Sequence, residues 1–106
     1  MSFRVRVLRV ADREVNAIVQ WLFDRSPDGA ARWISAFDDA LKRLANDPQQ
    51  CGLAPESEFV NYELRQIFFG TKAGRRFRAI FTIVDDEVLI LHVRGPDQRE
   101  LRADEI

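Results

Sequence analysis

Phe3, Val5 and Val7 alternate with Arg4 and Arg6, and Leu8 and Val10 continue the run on the arginine side. This period of two predicts a strand over residues 3–10, and its basic side suits a sheet edge. Beyond Asp12, a good N-cap, the period changes: Val15, Ile18, Val19, Leu22 and Phe23 fall on one helical stripe, predicting a first helix over 12–24. Ser26 followed by Pro27 and Asp28 is a second helix start, with proline at the first helical position and a negative charge where the helix dipole favours it. This helix carries Ala30, Trp33, Ile34, Phe37, Leu41 and Leu44 on one face and stops at Asp47-Pro48, because proline disfavours helix at the residue before it. A two- or three-residue joint makes the pair an antiparallel hairpin whose apolar stripes need a partner surface.

Residues 49–61 lack a period and contain Gly52, Pro55, Glu56, Ser57 and Glu58, so they are expected to form a surface connection, with Cys51 as a loop thiol. Three strand-like runs follow, over 63–69, 76–84 and 88–94, and predict an antiparallel meander. The stretch 96–106 has only Leu101 and Ile106 as large apolar residues, which leaves a short helix and a frayed tail both open.

Side chains alternate between the two faces of a strand. In the second run Phe77, Ala79, Phe81 and Ile83 share one face, expected beneath the helices, and Arg76, Arg78, Ile80 and Thr82 share the other. In the third, Leu89, Leu91 and Val93 are expected toward the core, opposite Val88, Ile90, His92 and Arg94. A three-residue loop over 85–87 pairs Val84 with Val88 and Arg78 with Arg94, whereas a two-residue turn would bring Arg94 onto the face of Phe77. In the first run Leu64 and Phe68 are expected in the core, leaving Arg65 on the open face with Arg78, His92 and Arg94. Ile67, Phe69, Ile80 and Ile90 would then also point outward, so something should cover part of that face.

The 106 residues are 46% hydrophobic and 31% charged, the composition of one globular domain spanning 1–106. At this length folding buries roughly two-thirds of the chain's surface, enough for one core and a shallow site. One cysteine and one histidine leave no disulfide framework and no usual zinc spacing, so neither metal nor cofactor is expected. The chain has neither an apolar run of membrane-spanning length nor a secretory signal pattern, and a cytoplasmic location is expected.

Fourteen Arg and two Lys are nearly cancelled by seventeen acidic residues, for a net charge of −1, which argues against indiscriminate adhesion to nucleic acid. Locally the balance differs: between Leu64 and Arg78 stand Arg65, Lys72, Arg75, Arg76 and Arg78 without an acidic residue. That face admits two roles. It is an anion-binding surface, where guanidinium groups hold phosphate and His92 moves a proton. Alternatively, it is the solvated face of an antiparallel sheet, its arginines paired with Glu63, Asp97 or Glu100. Trp33 and Phe37 belong to the core by spacing, while Trp21 lies off the main stripe of its helix. There is no glycine-rich phosphate loop and no Ser or Cys nucleophile beside a histidine.

The order strand, two helices, three strands resembles the RelE/ParE superfamily of bacterial toxins from type II toxin–antitoxin systems, often labelled plasmid stabilisation proteins. The resemblance is carried by Ser26-Pro27-x-x-Ala30-Ala31-x-Trp33, Leu44-x-x-x-Pro48, Glu63-Leu64-Arg65, Phe77-Arg78-x-Ile80-Phe81 and Leu91-His92-Val93-Arg94 with Arg99. It implies an α+β fold with the helical hairpin on one face of a mainly antiparallel sheet, and a growth-inhibiting toxin neutralised by a cognate antitoxin. One branch of the superfamily cuts messenger RNA in the ribosomal A site without metal. For that branch the resemblance implies Arg65 and Arg78 on the phosphate, Arg94 and Arg99 completing the cradle, and His92 as the proton carrier. Glu63 stands where such nucleases have a second basic residue, and the tail has no Tyr. The other branch inhibits DNA gyrase, and the long hairpin, Ala30-Ala31 and Pro48 look more like it. Messenger-RNA cleavage is the leading expectation, non-catalytic gyrase inhibition the alternative, and a non-toxic antitoxin-binding member the third.

Overall fold

In the computed structural model, which describes residues 2–71 and 75–106, strand β1 (Arg4–Val7) leads into helix α1 (Arg9–Arg25) and helix α2 (Pro27–Asn46). Two short 3-10 turns, Pro48–Gln50 and Pro55–Phe59, connect to strands β2 (Arg65–Phe69), β3 (Phe77–Val84) and β4 (Glu87–Arg94), and a last 3-10 turn spans Ala103–Glu105. The four-stranded sheet has the order β1-β4-β3-β2, with β1 parallel to β4 and the other two pairings antiparallel. The expected α+β architecture is therefore the observed one. Among the described residues no helix is long and apolar enough to cross a membrane.

β1 is shorter than expected because Leu8 and Val10 leave the strand. Leu8 is the N-cap of α1 without a side-chain cap, its amide held by the Ile90 carbonyl at 3.0 Å. Asp12, expected as the cap, lies in the first helical turn, where its charge still meets the helix dipole. At the other end Ser26 alone joins the helices, closing α1 and capping α2 by accepting a 3.0 Å hydrogen bond from the Gly29 amide. Ser26→Ala should cost about 1 kcal/mol, read as a lower urea midpoint with an unchanged slope.

The helices lie over one face of the sheet. Ala11, Trp33, Phe37, Ala40 and Leu44 pack with Ile67, Phe69, Ala79, Phe81, Val88, Ile90 and Val93 in the main core. Trp33 is its aromatic centre, with ring centroids 5.5 Å from Phe37, 5.4 Å from Phe69 and 5.5 Å from Phe77. Ile34, expected on the inner face of α2, is 48% exposed. The opposite sheet face is also covered: Ala54, Leu64, Ile80 and Leu101 form a second cluster with Val60, Leu91 and Ile106. The cover foreseen over the open face is thus supplied in part by the chain's own connection and tail.

The β3–β4 register corrects the expected hairpin. Val84 pairs with Glu87, leaving a two-residue turn in which Asp85 adopts a φ of 55°. Pairing runs regularly to Phe81 opposite Ile90, then shifts, so that Ile80 faces His92 and Arg78 faces Arg94. Leu91 is the extra residue of a β-bulge, and it restores the Arg78–Arg94 pairing that a two-residue turn alone would have lost. Ahead of the bulge the faces of β4 are exchanged: Val88 and Ile90, expected outward, belong to the main core.

A second correction concerns β2. Arg65 pairs with Phe81, Ile67 with Ala79 and Phe69 with Phe77, so these three residues share the helix side. Ile67 and Phe69 are core residues, not outward ones. Leu64 is buried in the second cluster and Phe68 is 40% exposed on the other face.

Candidate functional site

The open face beside the second cluster carries a shallow hollow of about 340 Å³, lined by Gln66, Phe68, Arg76, Arg78 and Arg94 and rimmed by Pro55, the 95–98 turn and Glu100. β2 supplies Gln66 and Phe68 from alternate positions, β3 supplies Arg78, and the end of β4 supplies Arg94. Arg76 precedes β3 and lays its guanidinium over the Phe68 ring, 4.0 Å from the centroid, a cation–π contact.

Arg78 and Arg94 stand directly opposite each other across two strands, an unfavourable like-charge pairing. Glu56 offsets it. This carboxylate, fully shielded from solvent, takes both terminal nitrogens of Arg78, at 2.8 and 2.5 Å, and the Leu101 amide at 2.9 Å. Arg78 also donates to Gln66 Oε1 at 3.0 Å. Burial by itself would raise the Glu56 carboxyl. The Arg78 hydrogen bonds, the amide bonds and the Arg78 charge outweigh burial and hold it at about 2. Glu56 was expected in a surface connection; it instead locks the Pro55–Phe59 turn, β3 and the tail together.

Of the five residues singled out for phosphate chemistry, Arg78 and Arg94 share the hollow and the other three do not. Arg65 is on the opposite sheet face, where it donates to the Cys51 carbonyl at 2.6 Å and pairs with Glu63 at 3.2 Å; its expected convergence with Arg78 does not occur. His92 is buried with Nδ1 3.3 Å from a carboxylate oxygen of Glu14 on α1, and Glu14 also accepts from the Val93 amide at 3.0 Å. Beyond Ile90 that edge of β4 has no β1 residue beside it, and Glu14 takes the strand's place. Arg99 makes a two-pronged pair with Glu105, at 2.7 and 3.0 Å. That pairing, with the Arg102 amide, holds the Glu105 carboxyl at about 2. Arg75 pairs with Asp97, and Lys72, counted in the basic stretch, lies outside the described residues.

Among the described residues the Arg94 side chain makes one hydrogen bond, from Nη2 to the Arg99 carbonyl at 3.0 Å, and its buried Nε has no acceptor. Residue types alone missed Glu56, which neutralises the site's central arginine, and Arg76 with Phe68. The available signal for the second pair was an exposed position two residues before Arg78, across the strand pair from an aromatic residue.

A family model described as the ParE toxin of type II toxin–antitoxin systems, parDE, matches residues 5–99. Among solved structures the chain is similar to one titled "Chromosomal ParDE TA system from P. aeruginosa". The TM-score is 0.68 with 21% sequence identity, over 89% of this chain and 96% of that one. At that identity the likeness shows a shared fold. No curated protein matches the chain.

Proposed function

Since the chain belongs to the ParE toxin family of type II toxin–antitoxin systems, and so has a cognate antitoxin as partner, we propose that it arrests growth by binding, as an inhibitor of DNA gyrase. The observation that carries this choice is the state of the five expected phosphate-chemistry residues. Arg78 is filled by Glu56, Arg65 lies across the sheet, His92 is held by Glu14, and Arg99 by Glu105. Transition-state stabilisation needs preorganised free donors and a proton carrier converging on one reacting phosphate; of the five only Arg94 is left without a carboxylate in the hollow, and with Arg76 beside it but no proton carrier it does not supply that.

A binding mode needs exposed anchors, and the helical hairpin has them. Trp21 is 56% exposed and stacked by Arg25, whose guanidinium carbon is 3.8 Å from the ring centroid. Phe23 and Ile34 on the same hairpin are about half exposed. Trp and Arg are the residue types that most often dominate a protein interface.

Supercoiling by purified gyrase and ribosome-dependent cleavage of a defined message, each with the purified toxin, test the proposal. Supercoiling should fall with toxin concentration while the message stays intact. Cleavage that disappears in Arg78→Ala or Arg94→Ala would overturn it in favour of an endoribonuclease. Inertness in both assays would overturn it in favour of a non-toxic antitoxin-binding member.

A further inference from the structure

The side chains lining the hollow on the open face are mainly donors, with the Glu100 carboxylate on the rim. Gln66 turns its oxygen to Arg78, because a guanidinium can only donate, and this leaves the amide NH2 group for another partner. Arg76 touches Phe68 and has no carboxylate partner among the described residues. Arg94 spends one donor on Arg99 and leaves its Nε without an acceptor. The Gly95 amide is occupied by Gln98 Oε1 at 2.6 Å, and Pro55 and Pro96 on the rim have no amide hydrogen. The Gly95, Pro55 and Pro96 positions therefore offer no free amide to an anion, and the donors for one are the Arg76, Arg94 and Gln66 side chains.

We propose that this hollow is a receptor for a single carboxylate side chain on a protein segment, the acidic anchor by which the antitoxin covers the open face. The proposal rests on the toxin–antitoxin reading above. The charge count selects a carboxylate over a nucleic-acid backbone. With Arg78 cancelled by Glu56, the lining has, among the described residues, two cations, Arg76 and Arg94, against Glu100 on the rim. One added negative charge balances that set, while a run of phosphates would be repelled at Glu100. A carboxylate on the terminal guanidinium nitrogens of Arg76 and Arg94 makes charge-assisted hydrogen bonds, which are stronger than neutral ones.

The test follows the side-chain Nε–H resonances of Arg76 and Arg94 in the isolated toxin, which requires neither gyrase nor growth arrest, so its failure is separable from failure of the supercoiling assay. The probes are a blocked Ala-Glu-Ala peptide, its Ala-Gln-Ala counterpart and a ten-residue oligothymidylate. Expected are shifts of both resonances with the Glu peptide at a dissociation constant at least tenfold lower than with the Gln peptide. Arg94→Gln should abolish the shift of the Arg76 resonance, and Arg76→Gln, at an exposed position, should abolish that of Arg94. Equal response to the two peptides, no response to either, or saturation by the oligonucleotide at lower concentration than by the Glu peptide would each overturn the proposal.

Discussion

Glu56→Gln is expected to lower the free energy of unfolding by about 3–5 kcal/mol, the usual cost of breaking a buried ion pair by removing one partner. The substitution keeps the side chain's size but leaves Arg78, only 13% exposed at its side chain, facing Arg94 without a counter-charge. It also weakens the acceptor for the Leu101 amide that seats the tail. The same pair sets an acid limit. A carboxyl held at about 2 in the fold, against an ordinary value of 4.5, stabilises the native state above the unfolded value, and that stability is lost as pH falls from about 4.5 toward 2. The shift corresponds to about 3 kcal/mol. Urea midpoints across that window should fall steeply in the natural protein and more gently in Glu56→Gln. The double change Glu56→Gln with Arg78→Met should recover much of the loss, since removing both charges removes the buried imbalance. A loss under about 1 kcal/mol, or identical acid profiles, would mean that the pair does not hold the tail and the connection to the sheet.

The elements were readable because each is written in a local signal. The Ser26-Pro27 start and the stripe of Trp33, Phe37 and Leu44 specify α2, and the period-two runs specify β3 and β4. Even the early start of α1 has a visible signal, since Leu8, Ala11, Val15, Ile18 and Leu22 continue one helical stripe through the end of the strand pattern. Face assignment failed where it depended on one residue more or less. Asp85-Asp86 makes a two-residue turn and Leu91 bulges seven residues after Val84, so the two departures cancel at Arg78–Arg94, and only between them does the turn's one-residue offset stand uncorrected. A sequence pattern constrains the sum of such steps at the well-marked ends and says little about where the extra residue sits.

The site was less legible than the fold for a different reason. Arg65 and Arg78 look alike in sequence, and only their strand registers separate a residue bound to the Cys51 carbonyl from one lining the hollow. Glu56 lies 22 positions from Arg78, and nothing in its Pro55-Glu56-Ser57-Glu58 context distinguishes the buried carboxylate from its exposed neighbour Glu58. Long-range pairing of this kind has no local signature. A cluster of arginines in sequence therefore overstated the free positive charge of the face, which among the described residues is reduced to Arg76 and Arg94.

Trp33→Ala should cost about 3–5 kcal/mol, comparable to Glu56→Gln but by a different mechanism. Trp33 is 3% exposed and is the residue through which α2 grips the ends of β2 and β3, stacking on Phe37 and meeting Phe69 and Phe77 edge-on. Truncation leaves a cavity that three aromatic rings cannot close without moving. Trp33→Phe should cost far less, within about 1.5 kcal/mol, because the lost volume is partly offset by removing an indole N–H that has no partner among the described residues. The loss should also be uneven. Phe69 and Phe77 pair at the end of the sheet where the neighbouring Phe68 and Arg76 build the hollow. Amide exchange in Trp33→Ala should therefore accelerate most at residues 68, 69 and 77, and less at 83 and 88, at the other end of the sheet. That gradient joins the core to the hollow: the carboxylate probe should bind Trp33→Ala more weakly although no residue of the hollow has changed. Uniform acceleration along β3, with probe affinity preserved, would show that the hollow is organised by the Glu56–Arg78 pair alone.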